Sequence, residues 1–138
     1  MTLEEMLARE AIRHTMAVYN TCGDRGANAE AVTAFAEEGV LEVPNGITYQ
    51  GRQAVLDFFN GLVRDGTLSG KRPRPTRHHL STSRIEIELP DRARSWTYFT
   101  LVRDGAIIQN GIYVDQFVRV GERWLIAHRR VKIEYDAS

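Results

Sequence analysis

Apolar side chains in the first part of the chain recur at steps of three and four residues, the spacing of one face of an amphipathic helix. In the first helix this stripe comprises Ala8, Ile12, Thr15, Met16 and Tyr19. Thr2 precedes Glu5 by three residues, which predicts a capping box at the helix start. Gly23 and Gly26 indicate a break. The pattern predicts a long helix that ends near this glycine pair.

Two more helices and a short hairpin are predicted before the middle of the chain. Asn28 is a typical N-cap for a second helix that continues to about Glu37. A strand over 39–43 and a shorter one over 47–50 flank a turn rich in Pro, Asn and Gly. The spacing of apolar residues over 53–65 predicts the third helix.

The second half has a different pattern, with four extended runs over 78–89, 93–103, 106–120 and 123–135. Short links of tight-turn residues join them, which favours an antiparallel meander. Helices followed by an antiparallel sheet predict an α+β fold. Because long strands twist and coil, helices packed on one face can leave a pocket for a small molecule.

Composition narrows the class of protein. The chain has 138 residues, 43% hydrophobic and 26% charged, which predicts a single domain over 1–138. Lys and Arg number 18, as do Asp and Glu, so no net field favours nucleic acid or an anionic membrane. The single cysteine is insufficient for an internal disulfide or a thiolate metal cage. The acidic start MTLEEMLARE predicts no signal peptide, and the expected location is cytoplasmic.

Residues 66–75 have no periodicity and are predicted to form a loop. This loop contains Lys71, Arg72 and Arg74, which form a basic group together with Arg77. Two interpretations stay open: the group holds an anionic tail of a substrate, or it is a solvated loop.

Several phrases along almost the whole chain resemble one known family. They are Ala11-Ile12-Arg13, Tyr19-x4-Asp24-Arg25-Gly26, Gly51-Arg52-Gln53-Ala54-Val55 with Phe58, Arg77-His78-His79, Gly111-Ile112-Tyr113-Val114-Asp115, and Trp124 to Val131. Together they resemble a SnoaL-like domain of the nuclear-transport-factor-2-like superfamily. This resemblance implies a cone-shaped α+β fold, in which a curved antiparallel sheet packs on three N-terminal helices and encloses a mostly apolar pocket. It also implies a homodimer or homotrimer formed through the outer sheet face.

Within that superfamily, the chain is most similar to the scytalone dehydratase and bile-acid 7α-dehydratase branch. The resemblance implies that Tyr19, Asp24 and His78 are the catalytic residues. The scytalone dehydratase pattern is only half present, because Thr21 stands at its aspartate position and Arg103 near its second histidine. With Tyr19, Asp24 and His78 in place, the resemblance to the branch as a whole implies a dehydratase or isomerase acting on a polycyclic, steroid, polyketide or aromatic substrate.

The three residues suit this chemistry. A neutral imidazole such as His78 can remove a proton next to a carbonyl group and then protonate the leaving hydroxide. A carboxylate such as Asp24 fixes its tautomer, and a hydroxyl such as Tyr19 stabilises an enolate. No cofactor or metal is required. Each residue also has a structural interpretation: an Asx turn for Asp24, a core position for Tyr19 and a satisfied structural histidine for His78.

Strand alternation raises a conflict at the histidine pair. It places His79 on the face of Ile85 and Leu89, whereas the resemblance places His78 in the pocket. A β-bulge within Ser81–Ser83 would reconcile the two, since one extra residue switches faces. Alternatively, the segment from Ile85 to Leu89 packs against a second subunit.

A set of aromatic, apolar and polar residues is predicted to bind the substrate: Phe35, Val43, Phe58, Trp96, Tyr98, Asn110, Tyr113 and His128. Asp115 and Arg129 or Arg130 are interpreted mainly as an ion pair between strands. Two other function classes stay open. One is a polyketide cyclase or epoxide hydrolase, and the other is a non-catalytic small-molecule-binding or assembly module.

Overall fold

The computed structural model describes residues 1–64 and 76–137, the side chains at 63 and 64 excepted. The predicted loop and its Lys71, Arg72 and Arg74 lie outside the described residues. The helices are α1 (Leu3–Asp24), α2 (Asn28–Ala31) and α3 (Arg52–Arg64), with a 3₁₀ turn at Val32–Ala34. The strands are β1 (Phe35–Glu42), β2 (Thr48–Gln50), β3 (Thr76–Glu88), β4 (Arg92–Arg103), β5 (Ala106–Val120) and β6 (Arg123–Asp136).

The helices follow the predicted pattern with one shortening. Thr2 accepts a hydrogen bond from the Glu5 amide, 3.1 Å away, as a helix N-cap does. The second helix was predicted to reach about Glu37, but α2 ends at Ala31. The prediction was wrong because Phe35 already begins a strand, whose pairing with Ile126 determines the backbone there. In the described ranges, no helix is long and apolar enough to cross a membrane.

The six strands form one curved, open sheet in the order β2-β1-β6-β5-β4-β3. The meander β3 to β6 is antiparallel, as predicted, and β1 pairs with β2 in the predicted hairpin. However, β1 runs parallel to β6, so the sheet is mixed rather than antiparallel. Turn residues fix the direction of neighbouring strands only, and they carry no information on this long-range pairing.

A bulge resolves the conflict at the histidine pair. Leu80 pairs with Phe99 and Ser83 with Thr97, so β3 has one more residue than β4 between these pairs. This extra residue lies in the predicted Ser81–Ser83 stretch and switches the face of the strand. His78 and Ile85 therefore both face inward, and Ile85 is part of the core.

The core lies between α1 and the concave face of the sheet. Ile12, Phe35, Phe117 and Ile126 are all fully buried there. Gly39 is needed at this packing, because a Cβ would lie 2.7 Å from the Ile126 carbonyl oxygen. The core fills one end of the layer between helices and sheet, and the other end contains a cavity.

Candidate active site

The end of α1 and the start of β3 meet at Asp24 and His78. The Asp24 carboxylate uses both oxygens on the histidine: Oδ1 lies 2.6 Å from Nδ1, and Oδ2 accepts a 2.9 Å bond from the backbone amide. Asp24 is buried, and the His78 side chain is 20% exposed. The carboxylate thus fixes both the ring and the backbone of His78, and it does not simply close its own turn.

This contact determines which histidine nitrogen is available for chemistry. Because a carboxylate accepts hydrogen bonds, it favours the tautomer of His78 with the proton on Nδ1. Nε2 is then the basic nitrogen, and no side chain of the described ranges bonds it. His78 belongs to the cavity wall, whereas its neighbour His79 is exposed on the outer face.

The cavity has a volume of about 470 Å³, within the range of small-molecule sites. Its apolar wall includes Leu41, Val43, Phe58, Phe59, Leu101 and Val131. Its polar wall includes Tyr19, Asn20, Asp24, Asn28, Thr76, His78, Arg103 and Tyr113. The concentration of polar groups around the Asp24–His78 pair makes this part of the cavity suitable for chemistry, and the apolar walls suit a hydrophobic molecule.

Tyr19 lies beside a buried charge. The Arg129 guanidinium lies against both tyrosines, 4.3 Å from the centre of the Tyr19 ring and 4.0 Å from that of Tyr113. Asp115 binds the guanidinium with two bonds of 2.8 Å, to Nε and Nη2. Both side chains of the ion pair are fully buried. The predicted ion pair is therefore Asp115 with Arg129, and Arg130 instead lies 3.9 Å from Glu42.

Burial changes the ionisation of these groups. Loss of water raises the pKa of both tyrosine hydroxyls above 10, although Arg129 partly opposes this. Burial alone would lower the pKa of Arg129, but the Asp115 carboxylate more than compensates, so the pKa of Arg129 is raised. Tyr19 and Tyr113 therefore stay protonated near neutral pH and can donate hydrogen bonds, while Arg129 stays charged.

Three of the predicted substrate-binding residues, Val43, Phe58 and Tyr113, belong to the cavity wall. Phe35 does not, because it is fully buried behind Tyr19, with the ring centres 5.9 Å apart. Asn110 is also outside the wall, since it lies between the inward-facing Gln109 and Gly111.

Trp96, Tyr98 and His128 correct the prediction further, since all three lie on the outer face. Trp96 packs under two arginine side chains there, and Tyr98 is 50% exposed. His128 lies 3.6 Å from Glu42. Uninterrupted alternation along β6 would place it on the same face as Trp124, but a register shift before His128 reverses the face.

Sequence reasoning missed several polar residues of the cavity, above all Asn20, Asn28 and Thr76. All three are buried, and each has a side-chain oxygen that no described residue hydrogen-bonds. Spacing offered a signal for two of them. Asn20 lies one helical turn before Asp24, and Thr76 lies two residues before His78 on the same strand face.

Comparisons with known proteins agree with this architecture. A model of the SnoaL-like domain matches residues 4–130. No protein with a curated function matches the sequence. Within residues 1–64 and 76–137, no group of three His, Cys, Asp or Glu side chains is arranged to hold a metal ion.

Solved structures with this fold are distant in sequence. A candidate scytalone dehydratase from Novosphingobium aromaticivorans has a TM-score of 0.81 at 21% identity, covering 97% of this chain and 89% of its own. LinA has a TM-score of 0.81 at 16% identity, covering 96% and 90%. The β subunit of a candidate aromatic-ring-hydroxylating dioxygenase, also from N. aromaticivorans, has a TM-score of 0.73 at 19% identity, covering 94% and 91%. These likenesses establish the fold, and the family match establishes more: the chain belongs to the SnoaL-like domain family.

Proposed function

We propose that this protein is a cofactor-independent acid/base enzyme that acts on a small hydrophobic ring compound, as a dehydratase or an isomerase. The observation that carries the proposal is the Asp24–His78 pair in the wall of an apolar cavity, with the 2.6 Å contact on Nδ1. A carboxylate on one ring nitrogen and a substrate-sized cavity at the histidine are what a general base requires.

The proposed reaction is elimination of water from a β-hydroxy carbonyl compound. Nε2 of His78 takes the proton next to the carbonyl group, and the electron pair moves into an enolate. The Tyr19 hydroxyl donates to the enolate oxygen, and Asp24 stabilises the imidazolium. The enolate then re-forms the carbonyl, the carbon–oxygen bond to the hydroxyl breaks, and the proton on Nε2 leaves with it as water. If the proton instead returns to another carbon, the same residues perform an isomerisation.

The cavity suggests the class of substrate. Its aromatic and aliphatic walls, including Phe58, Phe59 and Leu101, favour a flat or polycyclic carbon skeleton. A volume of about 470 Å³ is enough for two or three fused rings. A steroid fragment, a polyketide ring system or an aromatic alcohol fits these limits.

Two of the other function classes have weaker support, and the third is not distinguished by the site. An epoxide hydrolase of this fold would need an Asp-Arg-Asp set around a water, but Asp115 is fully buried and both of its oxygens bind Arg129. A polyketide cyclase would use the same His78 and Asp24, so it differs only in its substrate. A binding or assembly module, as the fold's occurrence in a dioxygenase β subunit suggests, would have no use for the Asp24–His78 contact.

The first test uses 3-hydroxy-1-tetralone, a bicyclic β-hydroxy ketone whose dehydration gives 1-naphthol, detected by its fluorescence. His78→Ala should reduce turnover at least about a hundredfold, the usual contribution of a general acid or base. His79→Ala is the matched control, because this neighbouring side chain is exposed on the opposite face. If related β-hydroxy ketones also give no turnover, the dehydratase form of the proposal is wrong, and if both variants lose activity equally, His78 is not the general base.

We also propose a homodimer or homotrimer formed through the outer sheet face, where Trp96 and the half-exposed Tyr98 lie. Light scattering coupled to size-exclusion chromatography measures the mass of the assembly, and a mass of 15.7 kDa would contradict this.

A further inference from the structure

Two residues that the proposed reaction does not use lie next to each other in the cavity wall. Asn20 on α1 donates from its side-chain nitrogen to the Tyr113 hydroxyl oxygen on β5, at 3.3 Å. Asn20 is 5% exposed and Tyr113 is 3% exposed. Both belong to the cavity wall, and Asn20 lies one helical turn before Asp24 on α1.

The contact leaves hydrogen-bonding capacity unused on both residues. The Asn20 amide oxygen is buried and has no hydrogen-bond partner in the part of the chain that the structure describes. The Tyr113 oxygen accepts from Asn20, so its own O–H hydrogen remains available to donate. Burial raises the pKa of this hydroxyl, which keeps the hydrogen in place. A buried polar atom without a partner costs free energy, and a ligand that binds it relieves this cost.

The pair is also held rigidly. The Tyr113 ring stacks on Phe99 with centres 4.5 Å apart and planes at 15°, and the Arg129 guanidinium lies 4.0 Å from the same ring. Asn20 is fixed by the long helix α1. Two groups that do not need to be ordered on binding lose less entropy when a ligand arrives.

We propose that Asn20 and Tyr113 form a subsite for a ligand hydroxyl group, which accepts from the Tyr113 O–H and donates to the Asn20 amide oxygen. An alcohol or phenol satisfies both groups, whereas a methyl group satisfies neither. The subsite does not depend on the orientation of the Asn20 amide. With its oxygen and nitrogen exchanged, the ligand hydroxyl accepts from the Asn20 nitrogen and donates to the Tyr113 oxygen. This deepens the proposed function, on whose cavity it rests, because it names hydroxylated rings as the preferred substrates.

The test compares 2-naphthol with 2-methylnaphthalene, two flat bicyclic probes that differ in one hydroxyl group. Dissociation constants come from titration of ¹⁵N-labelled protein, in which the side-chain amide signal of Asn20 reports directly on the subsite. The wild type should bind 2-naphthol more tightly, and only 2-naphthol should shift the Asn20 amide signal. Tyr113→Phe and Asn20→Leu should each reduce this preference about three- to tenfold, the range for one hydrogen bond.

Two variants separate the hydrogen bonds of the subsite from the packing around it. Tyr113→Phe keeps the ring that stacks on Phe99, so a loss of preference in this variant does not come from lost packing. Phe58→Leu changes an apolar part of the wall and should weaken the binding of both probes equally, which leaves the preference for 2-naphthol unchanged. If the preference is unchanged in Tyr113→Phe and Asn20→Leu, or if neither probe binds, the subsite proposal is wrong. The measurement reads binding alone, so it is independent of whether His78 catalyses any turnover.

Discussion

Replacing Asp115 with asparagine should test the buried ion pair most sharply. The substitution keeps the size of the side chain but leaves Arg129 as a buried charge without a counter-ion. Removing one partner of a buried pair costs about 3–5 kcal/mol. The Tyr19 and Tyr113 rings still face the guanidinium, and such contacts offset about 1–2 kcal/mol of the loss, so we expect about 3 kcal/mol.

The free energy of unfolding is measured by urea titration followed by circular dichroism. For 138 residues, a loss of about 3 kcal/mol corresponds to a decrease in Tm of roughly 10 °C. Glu88→Gln is the control, because the Arg94–Glu88 pair is exposed and should contribute less than about 1 kcal/mol. The double variant Asp115→Leu with Arg129→Met removes both charges and should regain most of the stability. If Asp115→Asn costs less than about 1 kcal/mol, the guanidinium does not depend on this carboxylate and the reasoning fails.

Two further predictions concern the backbone and alkaline pH. A Cβ on Gly111 would lie 1.9 Å from the Lys132 carbonyl oxygen. Gly111→Ala should therefore lower the free energy of unfolding by about 1–3 kcal/mol, as measured by urea titration. At Gly23 a Cβ would meet no atom of the described residues within 4 Å, so Gly23→Ala should be neutral or stabilising, and equal losses in the two variants would contradict the packing argument. The pKa of Tyr113 is raised on folding, so above pH 10 the unfolded chain releases this proton before the folded chain does. The protonated hydroxyl therefore contributes to the free energy of unfolding below pH 10, and this contribution is lost as the pH rises above 10. Above pH 10, the free energy of unfolding should fall less steeply with pH in Tyr113→Phe than in the wild type, by up to about 1.4 kcal/mol per pH unit. An unchanged slope would contradict the assignment to Tyr113.

The order of elements was predictable because it depends on local patterns. The stripe from Ala8 to Tyr19 and the turn residues between the long strands specify helices and hairpins without tertiary information. Residue Phe35 marks the limit of this approach. Its backbone pairs with Ile126, about ninety residues away in sequence, and this pairing overrides the helical tendency of the preceding segment.

The cavity wall was less predictable because bulges interrupt the alternation of faces. His128 follows the pattern of Trp124 until a register shift reverses it. On β4 the alternation is intact but misleading, because the inward residues include the fully buried Ser95 and Thr97, whereas Trp96 lies outside. Choosing cavity residues by aromatic character therefore selected the wrong face of this strand.

The buried ion pair is better explained by the geometry of the site than by stability. Apolar residues in place of Asp115 and Arg129 would stabilise the protein about as well, since desolvation offsets most of the attraction between buried charges. What apolar residues cannot do is hold a positive charge beside the rings of both Tyr19 and Tyr113. Under the proposed reaction, that charge favours negative charge on the enolate oxygen to which the Tyr19 hydroxyl donates. We therefore expect the ion pair to serve the proposed site more than the stability of the core.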